Sequence, residues 1–489
     1  MSARRLRLRD ARALLLLLPS LVSACTVGPD YHAAHPVLPD RFAGAKPGAL
    51  PDEGMRWWTA FGDQTLDDLV RTALADAPTI AQANARVAQA RALAGATGAE
   101  LLPQVDADGA YTRNLGSQNV PTGVRPGGLG RGVHSNIFQA GFDASWEIDV
   151  FGGVRRQIEG AQGHYQAAIE DRRDATLTLI AEIARAYWDL RGAQETLAIA
   201  RANANAQADT AHLAAVRLSA GLSPVLDPLR ADAQTADVRA DIPVALAAIR
   251  GDVARIAALT GHPPETLIDR LEVAGPLPQA MRDPPPGLPS DLLRRRPDIR
   301  AAERRMQEAN ARIGVATSDY YPHFYLTGVA GIQSLNADRF FTGGSLYYQA
   351  GPTVRWLIFD AGRTRFRIEG ERARTDEAYA AYRQVVLNAL RDVETAMSAY
   401  ARAQDRSNML ETETRSEQHA LDVAQRLYRV GATDYLTVLD AQRTLYRAQT
   451  LKAQSDRDCA VDLVAFYKAL GGGWQDVPAI GEPNFARSR

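Results

Sequence analysis

The chain has 489 residues, a formal net charge of −1, and 46 % hydrophobic against 23 % charged residues. Near-neutral charge gives no electrostatic reason for a nucleic-acid partner, and two cysteines, Cys25 and Cys459, make no disulfide framework. No stretch approaches the ~18 consecutive apolar residues of a membrane-spanning helix, and the length leaves room for about two to four ordinary domains.

Arg4, Arg5, Arg7, Arg9 and Arg12 precede a short apolar core, Ala13–Val22, which predicts a signal peptide over residues 1–24. The run Val22-Ser23-Ala24-Cys25 resembles a bacterial lipobox, which implies cleavage before Cys25 and lipid on that cysteine. Residues 25–62 are expected to form an arm, rich in proline and glycine and extended to about Gly54. Trp57–Phe61 with the following LDDLVRTALADAP reads as a short helix stopped by Pro78. Thr79 to about Glu100 reads as the next helix, ended before Pro103.

Strands are predicted at 104–114 and 136–151, separated by a Gly/Pro-rich loop. In the second, Phe138, Ala140, Phe142, Ala144, Trp146, Ile148 and Val150 alternate with small, polar or acidic residues. A period of two over that length is a strand with one oily and one wet face. After Gly152-Gly153 the period becomes helical, predicting a hairpin over 155–260 with its tip near Gly221. The first arm of that hairpin would be about 100 Å long at 1.5 Å per residue. Prolines between Pro276 and Pro289 mark residues 263–289 as a linker without regular structure. A second unit follows over 290–472, with strands at 323–334 and 346–360 and a hairpin over 365–470 whose tip lies near Gly431. Residues 473–489 read as an irregular tail. Cys459 sits on a helical run and is expected to be a plain buried thiol.

The second unit repeats the first. WEIDVFGGVRRQIEG at Trp146–Gly160 aligns without gaps on WLIFDAGRTRFRIEG at Trp356–Gly370, an offset of 210 that returns at Gly221/Gly431 and Leu229/Leu439. Upstream, Pro78/Pro297, Gly95/Gly314 and Pro103/Pro322 share an offset of 219. The chain is a tandem duplication of a helix–strand–strand–helix–helix unit. Four strands of spanning length cannot close a membrane barrel, whose smallest form has about eight. An open edge in lipid leaves backbone groups unpaired at several kcal/mol each. Either the strands avoid lipid or several chains complete one barrel, and this points to an oligomer.

Four stretches in order, CTVGPDY at Cys25–Tyr31, WWTAFGD at Trp57–Asp63, LPSDLLRRRPDIRAAE at Leu288–Glu303 and YRVGATDYLTVLDAQRTLY at Tyr428–Tyr446, resemble the TolC-like outer-membrane factors, in particular the lipidated NodT/OprM-type efflux subunits. That resemblance implies a mixed α and β membrane protein: a homotrimer whose twelve strands form an outer-membrane β-barrel continuous with a periplasmic α-helical barrel and an equatorial belt. It implies a passive exit duct in a tripartite pump, with a periplasmic adaptor and an inner-membrane transporter of the resistance-nodulation-division type as partners, and no cofactor. A type I protein-secretion duct is the same-fold alternative. A periplasmic coiled-coil structural or adaptor protein is the alternative of another class, which the spanning strands disfavour.

By the same resemblance the tip residues Gly221, Leu222, Val430, Gly431 and Ala432 contact the adaptor, with Ala220 where the family has valine. Leu436 and Asp440, four apart and so on one helix face, are implied to close the pore. Threefold symmetry would make a leucine ring and a carboxylate ring, and carboxylates ~4 Å apart repel by about 4 kcal/mol at an effective dielectric of 20. Asp227 and Tyr428 occupy the positions of a gate latch, whose ionic part is weakened by Thr433 and Thr437 in place of charged residues. Enzymatic readings find no support: the eight histidines make no HExxH spacing, and no GxSxG, phosphate loop or dinucleotide fingerprint is present. Gly127-Gly128-Leu129-Gly130 reads as a flexible loop between strands, and Arg294-Arg295-Arg296 as a belt surface.

Overall fold

The computed structural model describes residues 26–34, 36–43, 52–115, 134–277 and 289–475. The signal segment, Cys25, the glycine-rich loop, much of the proline-rich linker and most of the tail lie outside the described residues. The helices are α1 (Gln64–Asp76), α2 (Pro78–Ala99), α3 (Gly153–Ser219), α4 (Leu226–Thr260), α5 (Pro289–Arg295), α6 (Pro297–Ser318), α7 (Arg363–Arg429) and α8 (Tyr435–Ala469). The strands are β1 (Gln104–Leu115), β2 (His134–Ile148), β3 (His323–Ser334) and β4 (Leu346–Arg355). The duplication is visible in the lengths: α3 and α7 both have 67 residues, α4 and α8 both 35, α2 and α6 both 22.

Several boundaries differ from the sequence reading, each for a local reason. Pro78 does not stop a helix so much as open one; it stands first in α2, as Pro297 does in α6, where the missing N–H has no helical partner anyway. The short helix expected around Trp57 is two pieces, a 3-10 segment at Asp52–Phe61 and α1, parted by Gly62 at φ +67°. Asp63 caps α1, accepting from the N–H groups of Thr65 and Leu66 at 2.8 and 3.1 Å. β2 stops at Ile148 because Asp149 turns inward, accepting from Val154 N at 3.3 Å and Arg155 N at 2.9 Å to cap α3. β4 stops at Arg355, and Asp360 does the same for α7 through Gly362 N and Thr364 N. The linker holds a 3-10 turn at Pro264–Thr266 and a short helix at Ile268–Leu271.

The chain divides into two compact units. The described part of the first comprises 26–34, 88–115, 134–167 and 302–381, and contains the antiparallel sheet β1-β2-β3-β4. The β2–β3 pairing, with Phe142 opposite Ala330 and Trp146 opposite Leu326, joins the two repeats. One sheet face carries Val105, Tyr111, Phe142, Tyr348 and Val354, all exposed. The other carries Asp106 opposite Asp143 and Gln139, whose amide donates to the Tyr347 hydroxyl at 3.0 Å. Trp146 Nε1 donates to the Leu101 carbonyl at 2.9 Å, and the repeat-equivalent Trp356 Nε1 to Tyr320 at 3.1 Å. The arm lies on the start of α3: Val27 N–H donates to Phe151 O at 3.0 Å, and Arg156 holds Asp30 at 2.6 Å.

The second unit, described over 36–43, 52–87, 168–277, 289–301 and 382–475, buries Trp57, Leu66, Leu69, Ile180, Ile183, Trp188, Ile256 and Leu271 in one cluster. Each aliphatic side chain so buried contributes about 1.5–3 kcal/mol. Of the basic run expected on the surface, Arg296 is instead enclosed, its side chain 12 % exposed and paired with Asp298 at 2.7 Å. Cys459 is half-buried, and burial with Asp456, Asp462 and Asp458 nearby pushes its thiol up to about 11. Among the described residues no helix is long and apolar enough to cross a membrane.

Candidate functional site at the helical tips

Both helical reversals lie in the second unit and are closed by one device. At the first, Gly221 takes φ +71°, its N–H donates to Leu218 O at 2.9 Å, and Leu222 N–H donates to Arg217 O at 2.8 Å. At the second, Gly431 takes φ +75°, donating to Tyr428 O at 3.0 Å, while Ala432 N–H donates to Leu427 O at 2.8 Å. This paired pattern satisfies the last free carbonyls of α3 and α7 and requires a left-handed residue at the glycine. A Cβ at Gly221 would meet nothing within 4 Å, so glycine is there for its backbone angle and not for space.

The returning helices start differently. Asp434 caps α8, accepting from the Thr437 N–H at 3.0 Å and hydroxyl at 2.7 Å, which hold its carboxyl below the usual carboxylate range. Thr433 donates to the Thr437 hydroxyl at 3.1 Å. Thr433 and Thr437 thus serve the cap. Before α4, Val225 offers no side-chain cap.

All five residues expected at the adaptor contact are exposed, Leu222 at 66 % and Val430 at 77 %. Val225, Leu226 and Leu229 are exposed beside them, an apolar extension the sequence reading did not single out. Leu436 and Asp440 share the exposed face of α8, whereas Val438 and Leu439 turn inward against Ala231, Leu421, Ala424 and Tyr428.

The latch is not made as expected. The Tyr428 hydroxyl is buried without a hydrogen-bond partner, so no Asp227–Tyr428 hydrogen bond forms. Burial pushes the Tyr428 phenol above its ordinary value, the Arg217 cation opposing and the Asp227 carboxylate adding to the shift. The neighbouring Tyr435 phenol, also without a partner, is pushed up to about 12 by burial, with Tyr428 and Asp227 adding. What ties the hairpins here is Arg217. Its Nη1 donates to the Tyr428 carbonyl at 2.9 Å and its guanidinium lies 4.7 Å from the Tyr428 ring centroid. A cation in the last turn of α3 was a visible signal, but its partner on α7 was not. Further up, Gln442 donates to the Thr210 hydroxyl at 2.9 Å, Tyr446 to Asp241 at 2.8 Å and Arg443 to Gln234.

A groove beside α8 contains Lys452, but its amine is held by Asp456 at 2.6 Å, and the neighbouring Cys459 thiol is kept protonated. Among the described residues no group of three His, Cys, Asp or Glu side chains is placed to hold a metal ion.

A sequence model described as Outer membrane efflux protein matches residues 69–262 and 288–472. Nodulation protein T of Rhizobium leguminosarum bv. viciae is 32 % identical over 96 % of this chain and 95 % of its own length. The pyoverdine export outer membrane protein OpmQ of Pseudomonas aeruginosa is 32 % identical over 86 % of this chain and 88 % of its own. Among solved structures, the outer-membrane channel OprN superposes with a TM-score of 0.83 at 36 % identity, covering 92 % of this chain and 100 % of that one.

Proposed function

Because the chain belongs to the outer membrane efflux protein family, the outer-membrane exit ducts of efflux systems, we propose that three copies assemble into one gated duct that carries small molecules outward. The observation that carries this reading is the four-stranded sheet, whose edge strands β1 and β4 each have one partner among the described residues. Its exposed face is apolar, and unpaired edge groups in hydrocarbon cost several kcal/mol each. Three copies, each adding four strands, complete a barrel above the minimum size. The periplasmic coiled-coil alternative has no use for such a sheet.

The duct is passive. Helical tips meet a periplasmic adaptor through Gly221, Leu222, Val430, Gly431 and Ala432, and an inner-membrane transporter of the resistance-nodulation-division type drives transport. Leu436 and Asp440 form the constriction, and assembly of the pump parts the tips. OpmQ is named for export of pyoverdine, a small molecule, which favours small-molecule cargo here over the protein cargo of a secretion duct.

Cys25 carries the lipid anchor. Its neighbour Thr26 lies against Gly152 at the strand-to-helix junction, where Phe151 stacks on Tyr321 at 4.6 Å.

Outer-membrane fractions test this. A band at three times the monomer mass that collapses on heating supports the duct. A soluble product, or a membrane-bound monomer, would remove it.

A further inference from the structure

At one end of the sheet the apolar face closes in an aromatic cluster. Tyr111 and Phe138 stand opposite each other with ring centroids 4.9 Å apart, and Phe340 reaches Phe138 at 6.3 Å from the turn between β3 and β4. That turn is tied by its own hydroxyls, Thr342 and Ser345 both donating to Arg339 O at 2.7 Å. Next to Phe340, the Phe341 ring is 87 % exposed. From Phe138 to Ile148 every second residue of β2 is apolar. Those ten residues rise about 34 Å, or about 24 Å at a tilt of about 45°, close to the apolar band of a membrane barrel.

One step beyond the aromatic row the chemistry changes. Arg113 follows Tyr111 on the same face of β1 and stands opposite Asn136 on β2. Asn136 Oδ1 accepts from the Tyr111 hydroxyl at 3.0 Å, which leaves its amide N–H groups as donors. His134 stands one step further along β2, and Arg339 immediately precedes Phe340 in the turn. All four are exposed. Among the described residues neither arginine is ion-paired, and Asp338 is the only carboxylate at this end of the sheet. A cation on a lipid-facing surface is tolerated at headgroup depth, where anionic headgroups are its natural counter-charge.

We propose that this end of each copy binds the phosphorylated glycolipid of the outer leaflet, lipid A, with Arg113 and Asn136 on a phosphate, Arg339 beside them and Phe341 among the acyl chains. The proposal rests on the outer-membrane duct. In that duct α3 and α7 follow the Ile148 and Arg355 ends of the strands into the periplasm, so the Arg113 end meets the outer leaflet. Arginine suits the task because its planar fork takes two phosphate oxygens at once. The site is preformed, since the Tyr111 hydroxyl orients Asn136 and the hydroxyls of the turn fix Arg339 beside Phe340.

The test is native mass spectrometry of the full-length protein in detergent, titrated with lipid A that carries both phosphates. Wild type should bind it, and Arg113→Gln with Arg339→Gln should weaken binding at least about fivefold, as loss of cations from an anionic surface does. A double variant that is trimeric and binds lipid A as wild type does would overturn this site and leave the duct standing. A wild-type protein that sediments as a monomer would overturn both. Independently, dephosphorylated lipid A should bind wild type at least about fivefold more weakly than the phosphorylated form. Equal binding of the two forms would contradict the proposal even if the double variant failed to assemble. Phosphatidylglycerol binding as tightly as lipid A would overturn the glycolipid assignment.

Discussion

Arg217 and Tyr428 form the tie between the two helical tips: the guanidinium lies 4.7 Å from the ring centroid while Nη1 holds the Tyr428 carbonyl at 2.9 Å. The carbonyl also accepts from Gly431 N–H, so one cation both caps α7 and pins α3 to it. Arg217→Ala should loosen the closed tips. A charge-assisted hydrogen bond and a cation–π contact together are worth on the order of 1–2 kcal/mol here, about a tenfold rise in the open-to-closed ratio. Single-channel open probability reads this directly. Arg217→Lys keeps the charge without the planar fork and should fall between the two.

Removal of the hydroxyl alone has the opposite logic. The Tyr428 hydroxyl has no hydrogen-bond partner, and an unsatisfied buried polar group costs about 1–3 kcal/mol. Tyr428→Phe should therefore melt no lower than wild type by circular dichroism. A lower melting temperature would restore a latch role to the hydroxyl.

Asp149 ends a strand and starts a helix, its carboxylate meeting Val154 N, Arg155 N and Arg155 Nε. Asp149→Ala should destabilise the protein by about 1–2 kcal/mol, as loss of a helix cap does. Asp149→Asn keeps an acceptor and should recover most of that loss in thermal melts.

Asp252 gives the second unit a pH dependence. Burial, with Asp189 adding and Arg255 and Arg457 opposing, pushes its carboxyl up to about 6, against about 3.9 in an unfolded chain. Between those values the folded state binds the extra proton, so stability falls as pH rises from about 4 to 6 and stays lower above. Asp252→Asn should raise the melting temperature at pH 7, by on the order of 1 kcal/mol after solvent screening, and leave it unchanged at pH 4. A flat wild-type profile would contradict this.

Much of the architecture was legible because duplication writes each element twice. Trp146 and Trp356 align in sequence, and both indoles bond to repeat-equivalent carbonyls, those of Leu101 and Tyr320. Strand ends were less legible: Asp149 falls on the wet phase of the β2 alternation, and a capping carboxylate looks the same in sequence as a sheet-face one. Within the tips, the glycines were readable from local chain geometry. The Arg217–Tyr428 contact was not, since its partners are 211 residues apart and neither belongs to a repeated pair. The internal position of Arg296 escaped notice for a related reason: Asp298 is adjacent, but the groups that enclose it from elsewhere, Asp392 and the Ala469 carbonyl, are 96 and 173 residues away.

Single-channel conductance in planar bilayers of purified wild type and Asp440→Ala tests the central claim most directly. Small, cation-selective currents that enlarge in the variant are predicted, because three carboxylates at the constriction both narrow and charge it. Absence of any pore from protein that is trimeric and inserted would contradict the central claim.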